Sequence, residues 1–87
     1  MKITRDYTGL PDAKDKALDD CREYLGIIRF DNVVRAIRAD ILNNGIDDID
    51  TSTRSIASCL SLIGIQGFPA RAMAEYAVAG VCGQAAV

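Results

Sequence analysis

Residues 69–79, PARAMAEYAVA, restrict the fold of this chain more than any other stretch. Pro69 suits the first turn of a helix. Beyond it only Arg71 and Glu75 are strongly polar, the rest being Ala, Met, Tyr and Val. A helix apolar on nearly every side is a buried helix. Whatever else the chain does, it has to cover this segment.

The stretch before it is also helical in pattern. Ile56, Leu60 and Ile63 follow one another at steps of four and three, which places them on one face of a helix over 52–63. Ser52, Ser55, Ser58 and Ser61 recur every three residues on the opposite face, where the lack of bulk would let another backbone come close. Asp50, Thr51, Ser52 and Thr53 all offer a capping oxygen at its start. Gly64 and Gly67 bracket the loop leading to the fourth helix.

Two more helices precede these. Pro11 with Asp12 and Asp15 marks a start where the helix dipole favours negative charge, and Ala13, Ala17, Cys21, Tyr24, Leu25 and Ile28 keep one face apolar. Gly26 ends that helix or kinks it. Asp31 is the candidate N-cap of the next, in which Val33, Val34, Ile37 and Ile41 form the stripe, and Asn43, Asn44 and Gly45 stop it. The expected fold is therefore all-α: a compact four-helix domain with helices over 11–26, 31–43, 52–63 and 69–79, preceded by a short N-terminal arm. Eighty-seven residues make one domain and leave no room for a second.

Two arrangements would cover the fourth helix. A second copy is one, because a twofold interface uses a single patch twice and Ala70, Ala74 and Ala77 allow close packing. The contact residues would then be Met73, Tyr76, Ala77 and Val78, and a homodimer is the leading expectation. The other arrangement makes it the central helix of a monomer, wrapped by the remaining three. A chain this short buries only about 60–65% of its unfolded surface, so its core is marginal and association is one remedy.

Charge and composition narrow the function. Ten basic and twelve acidic residues give a net charge of −2, which supplies no general attraction to phosphate backbones or anionic membranes. Nucleic acid is not the default partner. No apolar run approaches the ~18 residues of a membrane span, and the first ten residues lack the apolar core of a secretory signal. Cys21, Cys59 and Cys82 show no CxxC spacing and are odd in number, so they read as reduced, mostly buried thiols. The expected location is the cytoplasm.

Chemistry-bearing motifs are missing. The chain has no histidine, which removes the commonest general base and excludes Ser-His-Asp and Cys-His catalysis within one chain. Gly64 and Gly67 do not precede a Lys-Ser/Thr pair, so no phosphate loop is present. Asp47, Asp48 and Asp50 resemble the start of a calcium loop, but Thr53 stands where that loop needs Gly and Cys59 where it needs Glu. We therefore expect no catalytic residues, no metal site and no cofactor. Arg35 and Arg38, one turn apart on the polar side of the second helix, and Arg71 on the fourth are candidate charged contacts for an acidic partner.

The expected function is a non-enzymatic module that binds another protein, as an adaptor or a stoichiometric inhibitor occupying a partner's surface. The alternative is a helix-turn-helix-like DNA-binding regulator. Against it, the turn over 64–68 is long for that motif and the fourth helix offers only Arg71, Glu75 and Tyr76 to base edges.

Overall fold

The computed structural model describes residues 6–46 and 48–85, with side chains described as far as Val81. Four α-helices follow in order: α1 (Ala13–Leu25), α2 (Ile27–Asn44), α3 (Ile49–Leu60) and α4 (Phe68–Ala85), with a 3-10 turn at Ser61–Ile63 between the last two. No strand occurs among the described residues. The fold is the all-α four-helix domain that the apolar periodicities predict. Met1 to Arg5 and the tail beyond Ala85 lie outside the described residues.

Two boundaries depart from the expected ones by four residues or more: α4 runs on to Ala85, and α2 begins early. It starts at Ile27 rather than at Asp31, because Gly26 alone separates it from α1. Gly26 adopts φ 85°. This is a left-handed backbone angle that costs a side chain but not glycine. Its amide donates to Arg22 O at 2.8 Å, closing α1, while its carbonyl accepts from Phe30 N at 2.9 Å and opens α2. One residue therefore serves both ends, and no side-chain cap is used. Asp31 lies within α2 instead of capping it.

The cap of α3 also differs from the expected candidates. Asp48 takes the N-cap position in extended backbone, accepting from Asp50 N at 3.1 Å and from the Thr51 hydroxyl at 2.7 Å. These donors hold its carboxyl below the usual range, the Thr51 hydroxyl contributing most. Thr53 is buried, and its hydroxyl turns back to donate to Ile49 O at 2.7 Å. The solvent side of α3 carries Ser55 and Ser58, both exposed, and no helix is laid on that strip of hydroxyls.

Helix α4 is the centre. The other three helices all pack on it, and α2 and α3 hardly touch each other. The main core joins Cys21 and Leu25 of α1, Phe30 and Val34 of α2, Leu60 and Ile65, and Ala70, Met73, Ala74 and Ala77 of α4. A second cluster sets Tyr7 of the arm on Ala17 and Ala72, with the Tyr7 ring stacked on Phe68 at 5.2 Å and its hydroxyl donating to Asp20. A third joins Ile41 to Val78 and Val81.

This geometry corrects the expectation of a dimer through the fourth helix. Met73 and Ala77 are fully buried and Val78 is 3% exposed within the single chain. Helix α4 needs no second copy to cover it. The reason is its alanine content: Ala70, Ala72, Ala74 and Ala77 present so little bulk that three helices can close around one axis. Narrow stripes then suffice. Among the described residues of α4 the positions left exposed are Phe68, Arg71, Tyr76 and Ala79.

The cysteines divide as well. Cys21 is buried, its thiol donating weakly to Pro69 O at 3.7 Å, and burial first, then the Asp20 carboxylate, pushes its pKa up to about 11. Cys59 is exposed, contrary to the expectation of mostly buried thiols. No described helix is long and apolar enough to cross a membrane.

Candidate interaction surfaces

Of the four apolar contact residues expected on α4, only Tyr76 reaches the surface, at 38% exposure. It lies between the buried Met73 and Ala77 in sequence, with its ring near Phe30 and Arg38 of α2. Two guanidinium groups hold it there. Arg22 of α1 lies 5.8 Å from the ring centroid and 4.8 Å from that of Phe30, while Arg38 of α2 lies 5.1 Å from the Tyr76 ring. Phe30 and Tyr76 are themselves tilted rings 6.1 Å apart. Three helices thus meet in one cluster of two arginines and two aromatics. Each cation is attracted to a ring face by the quadrupole of the ring.

Arg38 has a second task. Its Nε donates to Ala77 O and its Nη2 to Tyr76 O, both at 3.2 Å. Carbonyls inside a helix keep a spare lone pair that a side chain can use. Access requires that nothing stand on the α4 backbone, and the residue there is Gly80: a Cβ on it would overlap the Arg38 guanidinium. Arg38 is therefore a clamp between α2 and α4 rather than a free contact. Arg35, one turn earlier on α2, is exposed and forms no ion pair among the described residues.

Arg71 is likewise occupied. It donates through Nη2 to Asp50 of α3 at 3.1 Å and through Nε to Glu75 at 3.3 Å. Glu75 reaches Lys14 of α1 at 2.9 Å, and Asp50 also takes Arg54 at 2.9 Å. Glu75 Oε2 is shielded from solvent and faces the Lys14 ammonium at 2.9 Å. The strip Lys14–Glu75–Arg71–Asp50–Arg54 ties α1, α4 and α3 along one side. Arg54 and Arg71 share Asp50, whereas Arg38 serves the α2 side of α4.

The Lys14 ammonium, and after it the Arg71 guanidinium, hold the Glu75 carboxyl below the usual glutamate range. A carboxyl whose pKa falls on folding stabilises the folded state above its unfolded pKa and loses that contribution as pH drops through the folded value. Glu75→Gln should therefore melt below the wild type at pH 7. Exposed pairs limit the difference to at most about 1 kcal/mol. The gap should close as the pH falls below about 4.3. Thermal melts of both proteins across that range provide the check, and a gap that does not change with pH would mean that the charge on Glu75 contributes nothing to stability.

Among the described residues no group of three or more acidic or cysteine side chains could hold a metal ion. We find no protein family, curated protein or solved structure that matches this chain.

The sequence signal missed two features of this surface. Nothing in the spacing of Arg22 links it to Tyr76, fifty-four positions away. The fourth helix, expected over 69–79, continues to Ala85, so Gly80 lies inside it.

Proposed function

We propose that the chain is a non-enzymatic protein-binding module that presents the Tyr76 face to an acidic surface of another protein and acts by occupying it. The observation that carries this reading is the position of Tyr76, the one aromatic of α4 beyond its first residue, held half-exposed between the Arg22 and Arg38 guanidiniums. Tyrosine and arginine dominate the energetics of protein interfaces because each brings a large, partly rigid contact area with a polar end. Arg35, exposed one turn before Arg38 on α2, brings a cation with no partner in the described chain, and arginine binds carboxylates in a bidentate way. The absence of histidine from the sequence agrees with a role without acid-base chemistry.

The test is affinity capture from the native cell with three baits: wild type, Tyr76→Ala and Arg35→Glu, each checked for an unchanged helical spectrum. A protein retained by the wild type should be lost from both variants, with purified affinity falling roughly 30-fold for Tyr76→Ala, the scale of a central interface residue. Partner capture that ignores both substitutions would remove this face from the reading. Retention of duplex DNA in place of protein, weakening steeply with salt, would favour the helix-turn-helix alternative.

A further inference from the structure

Tyr7 belongs to the arm, outside every helix, and yet it is only 8% exposed. Its ring rests on Ala17 of α1 and Ala72 of α4, a floor without bulk, and stacks on Phe68 with the rings inclined by 26°. Its hydroxyl donates to the carboxylate of Asp20, one turn along α1 from Ala17. The seam between α1 and α4 therefore has a flat floor, an aromatic wall and a charged acceptor at its end. Such a site selects for a phenol, because an aromatic ring without the hydroxyl leaves the half-buried carboxylate short of that donor.

Little of the fold depends on the arm. Its cluster is separate from the main core, where α1 and α4 already meet through Cys21, Leu25, Met73 and Ala74, and the Lys14–Glu75 pair spans the same two helices. The backbone hydrogen bonds that the arm makes with described residues lie within it: Leu10 N donates to Tyr7 O at 3.2 Å, closing a turn, and Thr8 N donates to the Asp6 carboxylate at 2.9 Å. Its hold on the helices among the described residues runs through side chains, Tyr7 and the half-buried Leu10. Gly9, exposed in that turn at φ 77°, supplies a hinge. A segment attached in this way opens at far lower cost than the domain unfolds.

We propose that this seam is a tyrosine-binding slot, closed in the free chain by its own arm and taken by a tyrosine-bearing segment of another protein when the arm lifts. The chemistry of the occupant follows from the one already seated there: a phenol ring between Phe68 and the two alanines, with its hydroxyl on Asp20. The arm is then an autoinhibitory plug, and its closed fraction lowers the apparent affinity for any competitor. The slot goes beyond the reading of the Tyr76 face and does not rest on it, since the two share no residue.

An NMR titration of the full-length chain with the blocked peptide Asp-Tyr-Thr-Gly-Leu, the sequence of residues 6–10, tests this through the amide shifts of Ala17, Asp20 and Ala72. Tyr7→Ala empties the slot, and the peptide should bind that variant saturably with a Kd of about 1 mM, the scale of a single anchored side chain. The wild type should bind roughly tenfold more weakly because its own arm competes. Replacing the peptide's tyrosine by phenylalanine, or adding Asp20→Ala to Tyr7→Ala, should each weaken binding roughly tenfold. The proposal is overturned by a folded Tyr7→Ala chain that binds no peptide, binds it no better than the wild type, or binds the tyrosine and phenylalanine peptides alike. If Tyr7→Ala does not fold, Tyr7→Phe decides, since it keeps the ring and drops only the hydroxyl: the tyrosine peptide should bind it more tightly than it binds the wild type, and equal binding overturns the slot. A failed titration leaves the Tyr76 reading intact, whose own test uses other residues.

Discussion

Met73→Asp is expected to leave the chain unfolded at 25 °C, and Val78→Asp to do the same, while Ala79→Glu, one residue further along α4, should fold and melt close to the wild type. Met73 has no solvent exposure and sits where α1, α2 and α3 converge on α4, whereas Ala79 is exposed. Truncation of a buried methionine to alanine already costs about 2–5 kcal/mol. The total for a small domain lies near the low end of about 5–15 kcal/mol. Adding an unpaired buried carboxylate goes beyond what remains. Circular dichroism at micromolar concentration separates the outcomes. A folded, monomeric Met73→Asp would mean that Met73 faces a neighbouring copy and not the interior of its own chain.

Gly80→Ala should destabilise the protein, although alanine is the best helix former and glycine close to the worst. The gain from helix propensity is about 0.8–1 kcal/mol. Against it, the new methyl displaces the Arg38 guanidinium, with its hydrogen bonds to Tyr76 O and Ala77 O and its contact with the Tyr76 ring. Hydrogen bonds from a charged donor contribute about 1.5–3 kcal/mol each when well formed, and half-exposed ones at 3.2 Å fall toward the lower end. The expected net loss is about 1–2 kcal/mol, or several degrees in the melting temperature of a domain this size. In an Arg38→Ala background the clamp is already gone, so the same Gly80→Ala change should raise stability by about 0.8–1 kcal/mol. The reversal of sign between backgrounds is the diagnostic result. An equal effect in both would show that Gly80 and Arg38 do not interact.

The number and order of the helices were legible because their apolar periodicities are local. The steps through Ile56, Leu60 and Ile63, and the stop at Asn43, Asn44 and Gly45, need no knowledge of the rest of the chain. Boundaries were less legible where one residue served two elements. Gly26 carries the whole α1–α2 junction without a side-chain cap, so the capping residue type at Asp31 marks a start that α2 does not use. At α3 a side-chain oxygen does cap the helix, but it is that of Asp48, two to five residues before the expected candidates, which binds both the Asp50 amide and the Thr51 hydroxyl.

The candidate site was legible only in part, and for a physical reason. Tyr76, Arg35 and Arg38 stand out by residue type, but a side chain's availability depends on what lies opposite it. Arg38 and Arg71 are committed to Ala77 O and to Asp50, thirty-nine and twenty-one positions away, and no local pattern encodes such pairings. The same limit applied to α4. Its composition alone required that it be buried, since exposed apolar area costs free energy wherever it occurs. Whether neighbours within the chain or a second copy would cover it depended on how closely three helices could approach its alanines. That distance is set by packing in three dimensions, and it left Met73, Ala77 and Val78 inside while Ile27, Ile28 and Leu62 remained in solvent.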